Sequence, residues 1–184
     1  MTLQALFDLS VSEFFQFVKT IAYGYRDTRG AVHVLSEVME TVDASAWPYA
    51  YSTPQDILET SVGWCWDVCQ LIKAYCQANG MPCRTYYLEY FDPAKGQHQT
   101  HAQCFAHDGG AWVLCPDNTD PEPFGTRTNA SLEALVKELA GDFFDFCTAQ
   151  FGSLDPACQL VKAFDLQFPA GMGDEALMAA IRAF

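Results

Sequence analysis

Basic residues are scarce in this chain: its 184 residues include 10 Lys and Arg against 23 Asp and Glu, a formal net charge of −13. Affinity for a phosphate backbone rests on clustered Lys and Arg. The few present are scattered, so nucleic acid is excluded as a partner. Long apolar runs are missing too. The opening "MTLQALFDLSVSEFFQFVKT" carries acids and glutamines where an export leader would be basic and then apolar. Neither a leader nor a membrane span is expected, and the reading is a cytoplasmic protein with no membrane partner. Repeats, low-complexity tracts and dividing linkers are also lacking, which predicts a single domain over residues 1–184.

What is present is a core's worth of apolar residues, half of the chain, with 14% aromatics, the balance of an ordinary globular protein. Eight cysteines stand at Cys65, Cys69, Cys76, Cys83, Cys104, Cys115, Cys147 and Cys158. In a small secreted chain they would suggest a disulfide framework. Here most fall inside periodic apolar segments, which reads as reduced thiols used as small core residues. The acid excess serves solubility and weakly favours basic or neutral substrates.

Ser10 and Glu13 make a capping box for a helix over Val11–Ala22, with Phe14, Phe15, Val18 and Ile21 on one face. "YGYRDTRG" breaks that pattern, and a second helix is predicted over His33–Thr41. "DASAWPYAYSTPQ" reads as an extended connection, and "PQDILET" as a short helix capped by Ser52 or Thr53. From Trp64 the spacing Val68, Leu71, Ile72, Tyr75 gives an apolar helical face, ended by Asn79-Gly80 and Pro82. "CRTYYLEYF", "THAQCFAH" and "AWVLC" have strand composition, the first pair separated by "DPAKGQHQ" and the second by the tight turn "DGG". After the loop "DNTDPEPFGTRTN", helices are predicted over Ser131–Ala140, Asp142–Phe151 and Pro156–Phe164, with a last one from Asp174 to Ala183.

The chemistry lies in "SVGWCWDVCQ". A thiol at a helix N-terminus feels the positive end of the macrodipole, which favours thiolate, and Gly63 beside it would let backbone approach a substrate. Acyl transfer by such a thiol needs a histidine base and a group to orient it. His101 begins the second strand and Asp117 follows the third. Antiparallel pairing across "DGG" makes them neighbours.

These residues carry a resemblance. "GWCWDVCQLIKAYCQANGMPCRTYYLEYF" followed by "THAQCFAHDGGAWVLCPDNTD" resembles the transglutaminase-like superfamily: a Gly-x-Cys helix ending in a Gly-hydrophobic-Pro-x-Arg turn, a histidine strand, then a Trp-containing strand closing on an aspartate. The ordered set is Gly63, Cys65, Gly80, Pro82, Arg84, His101, Trp112 and Asp117. The match runs from about Ser61 to Thr119, and "YGYRD" and "STPQDILETSVGWCWD" resemble bacterial members, extending it toward the N-terminus. The resemblance implies an α+β, papain-like fold in which the Cys65 helix packs on a small antiparallel sheet, with a core over about 52–120 and extra helices over 1–51 and 131–184. It implies Cys65 as nucleophile, His101 as base and Asp117 as orienting acid, with no cofactor. Two departures from the family pattern, Ala102-Gln103 where an aromatic commonly follows the histidine and "CPDNT" in place of hydrophobic-Asp-Pro-Thr, leave Asn118 and Asp120 as alternatives to Asp117.

The function expected is hydrolysis of an amide or peptide bond through a thioester, with a protein, peptide or small amide as substrate. The alternatives are acyl transfer to an amine, arylamines included, and an inactive member acting as a protein-binding module. Around the triad, Trp64 and Trp66 are both carried as substrate-binding residues; since they flank Cys65 and point apart, Trp64 is the choice for the site if only one faces it. His98 is read as a solvated turn residue near the site mouth, and Asn118 as a further binding residue. Asp67 is expected to turn outward, and Cys69 to be core. His98 and His101 with Cys65 and Cys69 would total a Cys2His2 set, but they lack the spacing of structural zinc sites, and no metal is expected. His33 and His107 read as surface or edge residues.

Overall fold

The structure, a computed structural model, describes residues 1–35 and 48–184. Helices α1 (Leu3–Phe7) and α2 (Val11–Val18) open the chain. The Ser10 hydroxyl caps the Glu13 N–H while the Glu13 carboxylate takes the Ser10 N–H at 3.0 Å, and Phe14, Phe15 and Val18 form the buried face. α2 stops short of Ala22 because Ala22–Asp27 is a strand, β1. Gly24 permits this: a Cβ there would lie 2.1 Å from the His33 carbonyl oxygen on the neighbouring strand β2 (Val32–Val34). His33 and Val34 are therefore extended, not helical. Residues 36–41 of the helix expected over His33–Thr41 fall outside the described residues, as does the "DASAW" stretch of the connection.

β3 (Tyr49–Ala50), α3 (Pro54–Thr60) and β4 (Val62–Gly63) lead into the site. Thr53 caps α3, with Pro54 in the first turn and Asp56 closing a capping box. β4 runs parallel to β1, Tyr23 opposite Gly63, and joins β2-β1-β3 in a four-stranded sheet. Next come α4 (Cys65–Ala78), then β5 (Cys83–Asp92), β6 (Gln97–Asp108) and β7 (Ala111–Leu114). Gly109 and Gly110 have φ of 56° and 87°, the left-handed pair that a two-residue hairpin requires. β6 starts at Gln97, inside the segment read as turn.

β8 (Thr128–Asn129) and β9 (Gln159–Phe164) widen this sheet to the order β8-β7-β6-β5-β9. β9 corrects the helix expected over Pro156–Phe164: only Pro156–Cys158 forms a single 3-10 turn. The strand forms because the open edge of β5 offers backbone groups that need partners, and β9 pairs along it from Tyr90↔Gln159 to Thr85↔Phe164. α5 (Leu132–Phe151) is one continuous helix where two were expected. Gly141 costs it about 1 kcal/mol, offset by a buried stripe of Leu135, Leu139, Phe143 and Cys147 that runs past the glycine. α6 (Asp174–Ala183) closes the chain.

Six α-helices and two sheets, antiparallel except for the β1–β4 pair, make the described chain α+β. Strand alternation sorts the second sheet into two faces. Tyr87, Ala102, Cys104 and Ala106 pack with α4 residues in one core. Leu88, Tyr90, Phe105 and Leu114 pack with α5 residues in the other. No helix among the described residues is long and apolar enough to cross a membrane.

Candidate active site

Trp64 is the N-cap of α4 and Cys65 its first residue. The anchor of that start is Asp67. One carboxylate oxygen takes the Trp64 N–H at 2.9 Å, and the other takes the Tyr49 hydroxyl at 2.6 Å and the Ser52 N–H at 2.9 Å. Asp67 is 0% exposed, which corrects the expectation that it faces solvent: three donors converge on it, and inward is where they are. Burial pushes its carboxyl up to about 7, against the downward pull of those hydrogen bonds.

Cys65 is buried, 2% exposed, and packs in the core that α4 shares with Tyr87, Ala102 and Cys104 of the sheet. Burial pushes the thiol well above its ordinary range. The Ala102 N–H opposes that shift, and Asp117, Cys69 and Asp67 add to it. The expected pull of the helix terminus toward thiolate is therefore outweighed by desolvation. Cys65 rests as a thiol.

His101 lies on β6, on the face opposite Ala102. The β6–β7 register, Phe105↔Leu114, continues through the Cys115 N–H to the Cys104 carbonyl at 3.0 Å. That continuation carries Asp117 to His101, with Oδ2 4.0 Å from Nε2. The other oxygen of Asp117 accepts from the Thr119 N–H and hydroxyl, both at 2.7 Å, and from the Asp120 N–H at 3.1 Å. Closer to the ring than Asp117 is Gln103, whose Oε1 is 3.0 Å from Nε2. Asn118 turns away and donates to the Gly63 carbonyl at 3.0 Å and the Ile21 carbonyl at 3.3 Å, and Asp120 accepts from the Glu122 N–H.

His101, Gln103 and Asp117 line a cleft of about 620 Å³ that also carries Asp120, Glu122 and Arg127. Arg127 is held by Glu138 at 2.8 Å and Asp142 at 2.7 Å, so the free charge of the cleft is acidic. Cys65 is absent from its lining, as are Gly63, Trp64, Trp66, His98 and Asn118. Gly63 faces the helix instead: a Cβ there would meet Val68 Cγ2 at 3.1 Å. Trp66 is core, against Tyr87 and Phe164. Trp64 sits among Tyr23, Tyr25 and Tyr49.

His98 is a β6 residue rather than part of a turn, and it bonds Glu89 at 2.9 Å. Three positions from His101 along one strand, it occupies the opposite face. That separation, together with a Cys69 sulfur 2.9 Å from Cys104, keeps the two histidines and two cysteines from converging. Among the described residues no group of three or more His, Cys, Asp or Glu is arranged for a metal ion. His107 stacks edge-on against Trp112.

Sequence reasoning missed Gln103, Tyr23 and Tyr49. The i, i+2 spacing of His101 and Gln103 on a strand was the available signal for the first. Tyr23 reaches the site through the β1–β4 pairing, which composition does not announce. Burial, with Cys65 and Asp117 nearby, pushes its phenol up while a hydrogen bond from Trp64 pulls it down; it remains a hydroxyl.

An α+β chain that starts a buried helix with cysteine and brings a strand histidine beside an aspartate just past the end of the next strand has the layout of a cysteine-dependent enzyme or a module derived from one. The sequence model of the Transglutaminase-like superfamily matches residues 16–115, more than half of the chain, and the protein belongs to that superfamily. The matched span begins in α2 and includes β1, so the N-terminal strands are part of the family unit. No curated protein and no solved structure matches the chain.

Proposed function

We propose that the protein is a papain-like cysteine hydrolase that cleaves an amide or peptide bond through a thioester on Cys65. The observation that carries this reading is Cys65 as the first residue of a helix that shares a core with Ala102 and Cys104 of the histidine strand, where Asp117 stands 4.0 Å from His101. His101 takes the thiol proton as sulfur attacks the carbonyl carbon. The same proton then passes to the leaving nitrogen as the C–N bond breaks, and water, deprotonated by His101, releases the acid and restores the thiol. Because burial holds Cys65 protonated, proton transfer accompanies attack instead of preceding it. The Cys65 backbone N–H at the helix terminus is suited to the oxyanion.

Asp120 and Glu122 in the cleft suit a basic or neutral protein, peptide or small amide better than an acidic one. Eight free cysteines fit a reducing, cytoplasmic setting. Neither nucleic acid nor membrane is proposed as a partner. Turnover of a panel of peptide and carboxamide substrates, followed by ammonia or amine release, tests the reading. Cys65→Ser and His101→Ala should each abolish it, and full activity in either would overturn the assignment. Acyl transfer to an added amine in place of water would show as amide product in the same assay. A specific observation favours a second reading, a protein-binding module: Cys65 is buried and outside the cleft. Binding that survives Cys65→Ser with no turnover of any amide would select it.

A further inference from the structure

We propose that Gln103 is the positioning residue that fixes the tautomer of His101, an inference that rests on the reading of His101 as the base. Gln103 Oε1 is 3.0 Å from His101 Nε2, whereas the nearest Asp117 oxygen is 4.0 Å away, beyond hydrogen-bond reach. The direction of the amide is set at its other end. Gln103 Nε2 donates to the Cys115 carbonyl and, at 3.5 Å, to the Cys104 carbonyl. A backbone carbonyl only accepts, so the NH2 must face Cys115 and the amide oxygen must face the ring. An acceptor at that position selects the imidazole that carries its proton on Nε2. Nδ1 then keeps the lone pair that a base needs.

The amide has little freedom to turn over. Gln103 is 4% exposed, and the Cys115 carbonyl it holds belongs to a residue tied to β6 by its own N–H. Reversing the amide would set its oxygen against the Cys115 carbonyl, two acceptors face to face in a buried place, which costs more than a lost bond. Asp117 is left with a different task. It braces the Thr119–Asp120 turn with one oxygen and stands as a negative charge one step from the ring, where it stabilises the imidazolium through space. The Nε2 proton stays in place throughout the cycle, and only Nδ1 gains and returns one.

Long-range ¹H–¹⁵N spectra of the full chain at pH 8, with the His101 signals assigned by their loss in His101→Gln, read the tautomer without any substrate. The wild type should show one His101 tautomer, protonated on Nε2, with a slowly exchanging ring N–H. Gln103→Met, close in size but without the amide, should speed that exchange about tenfold, the worth of one hydrogen bond, and Asp117→Asn should leave it slow. A slow N–H in Gln103→Met, or its loss in Asp117→Asn, overturns the proposal. Should Gln103→Met fail to fold, Asp117→Asn alone decides. These spectra stand apart from the turnover assay: a failed tautomer lock leaves Cys65 chemistry intact, and absent turnover leaves the lock measurable.

Discussion

The Tyr49 hydroxyl donates to the buried carboxylate of Asp67 across 2.6 Å, and Asp67 in turn holds the N–H of Trp64, the cap of the helix that begins with Cys65. The four-stranded sheet is thereby tied to the first turn of α4. A residue that could have been only a favourable charge at a helix terminus is the peg on which the position of Cys65 hangs.

Asp67 should mark the pH dependence of stability. Its carboxyl is raised to about 7 from an unfolded value near 4, so between these the folded state binds the extra proton, and its stabilising share is present at low pH and lost as pH rises. The difference in melting temperature between wild type and Asp67→Asn should therefore shrink from pH 4 to pH 7. A difference that grows over that range would contradict the burial effect. Calorimetry at a series of pH values measures it.

Cys65 should alkylate slowly in the folded protein at pH 6. Burial raises its thiol, whereas Cys83 is partly exposed and shares an open pocket with Lys73 and Arg84. Iodoacetamide followed by peptide mass mapping should label Cys83 first, with Cys65 gaining label as pH increases. Preferential labelling of Cys65 at pH 6 would mean a preformed thiolate.

Asp117→Asn should reduce any amide turnover by about 10²- to 10⁴-fold, the range for a disturbed acid–base group. The turn it braces should persist, because an amide oxygen can accept from Thr119 and Asp120. Asp117→Ala should lose the turn as well, at about 1–3 kcal/mol for the donors left unpaired. Kinetics and urea unfolding on the pair separate the charge from the scaffold.

Gly63→Ala should destabilise by about 1–3 kcal/mol through overpacking, since the added methyl meets Val68 at 3.1 Å. Adding Val68→Ala should recover part of that loss. A double-mutant cycle in urea reads the coupling, and additivity would show that the two positions do not meet.

Much of the site was legible because its signals are local. Ser10 and Glu13, Thr53 and Pro54, and Asn79-Gly80 fix helix ends through bonds made within a few residues, and "DGG" supplies the two positive φ values its hairpin requires. Cys65 at a helix start, and Asp117 beside His101, follow from those punctuation marks and from one antiparallel pairing. β1 and β9 were not legible. Each is a strand because another segment, distant in sequence, offers an open backbone edge, and that need outranks local propensity.

The amino-acid sequence by itself determined the order of elements from α4 to β7, the reach of Asp117 toward His101 and the superfamily, since all three are carried by short-range capping, alternation and turn chemistry. Only the tertiary structure decided which way Asp67 faces, that Cys65 rests as a buried thiol, and that Gln103 stands nearer the imidazole than Asp117. The first two are settled by desolvation and by donors from remote segments, which no spacing along one chain encodes; the third needed the Cys115 carbonyl, across the hairpin, to turn the Gln103 amide.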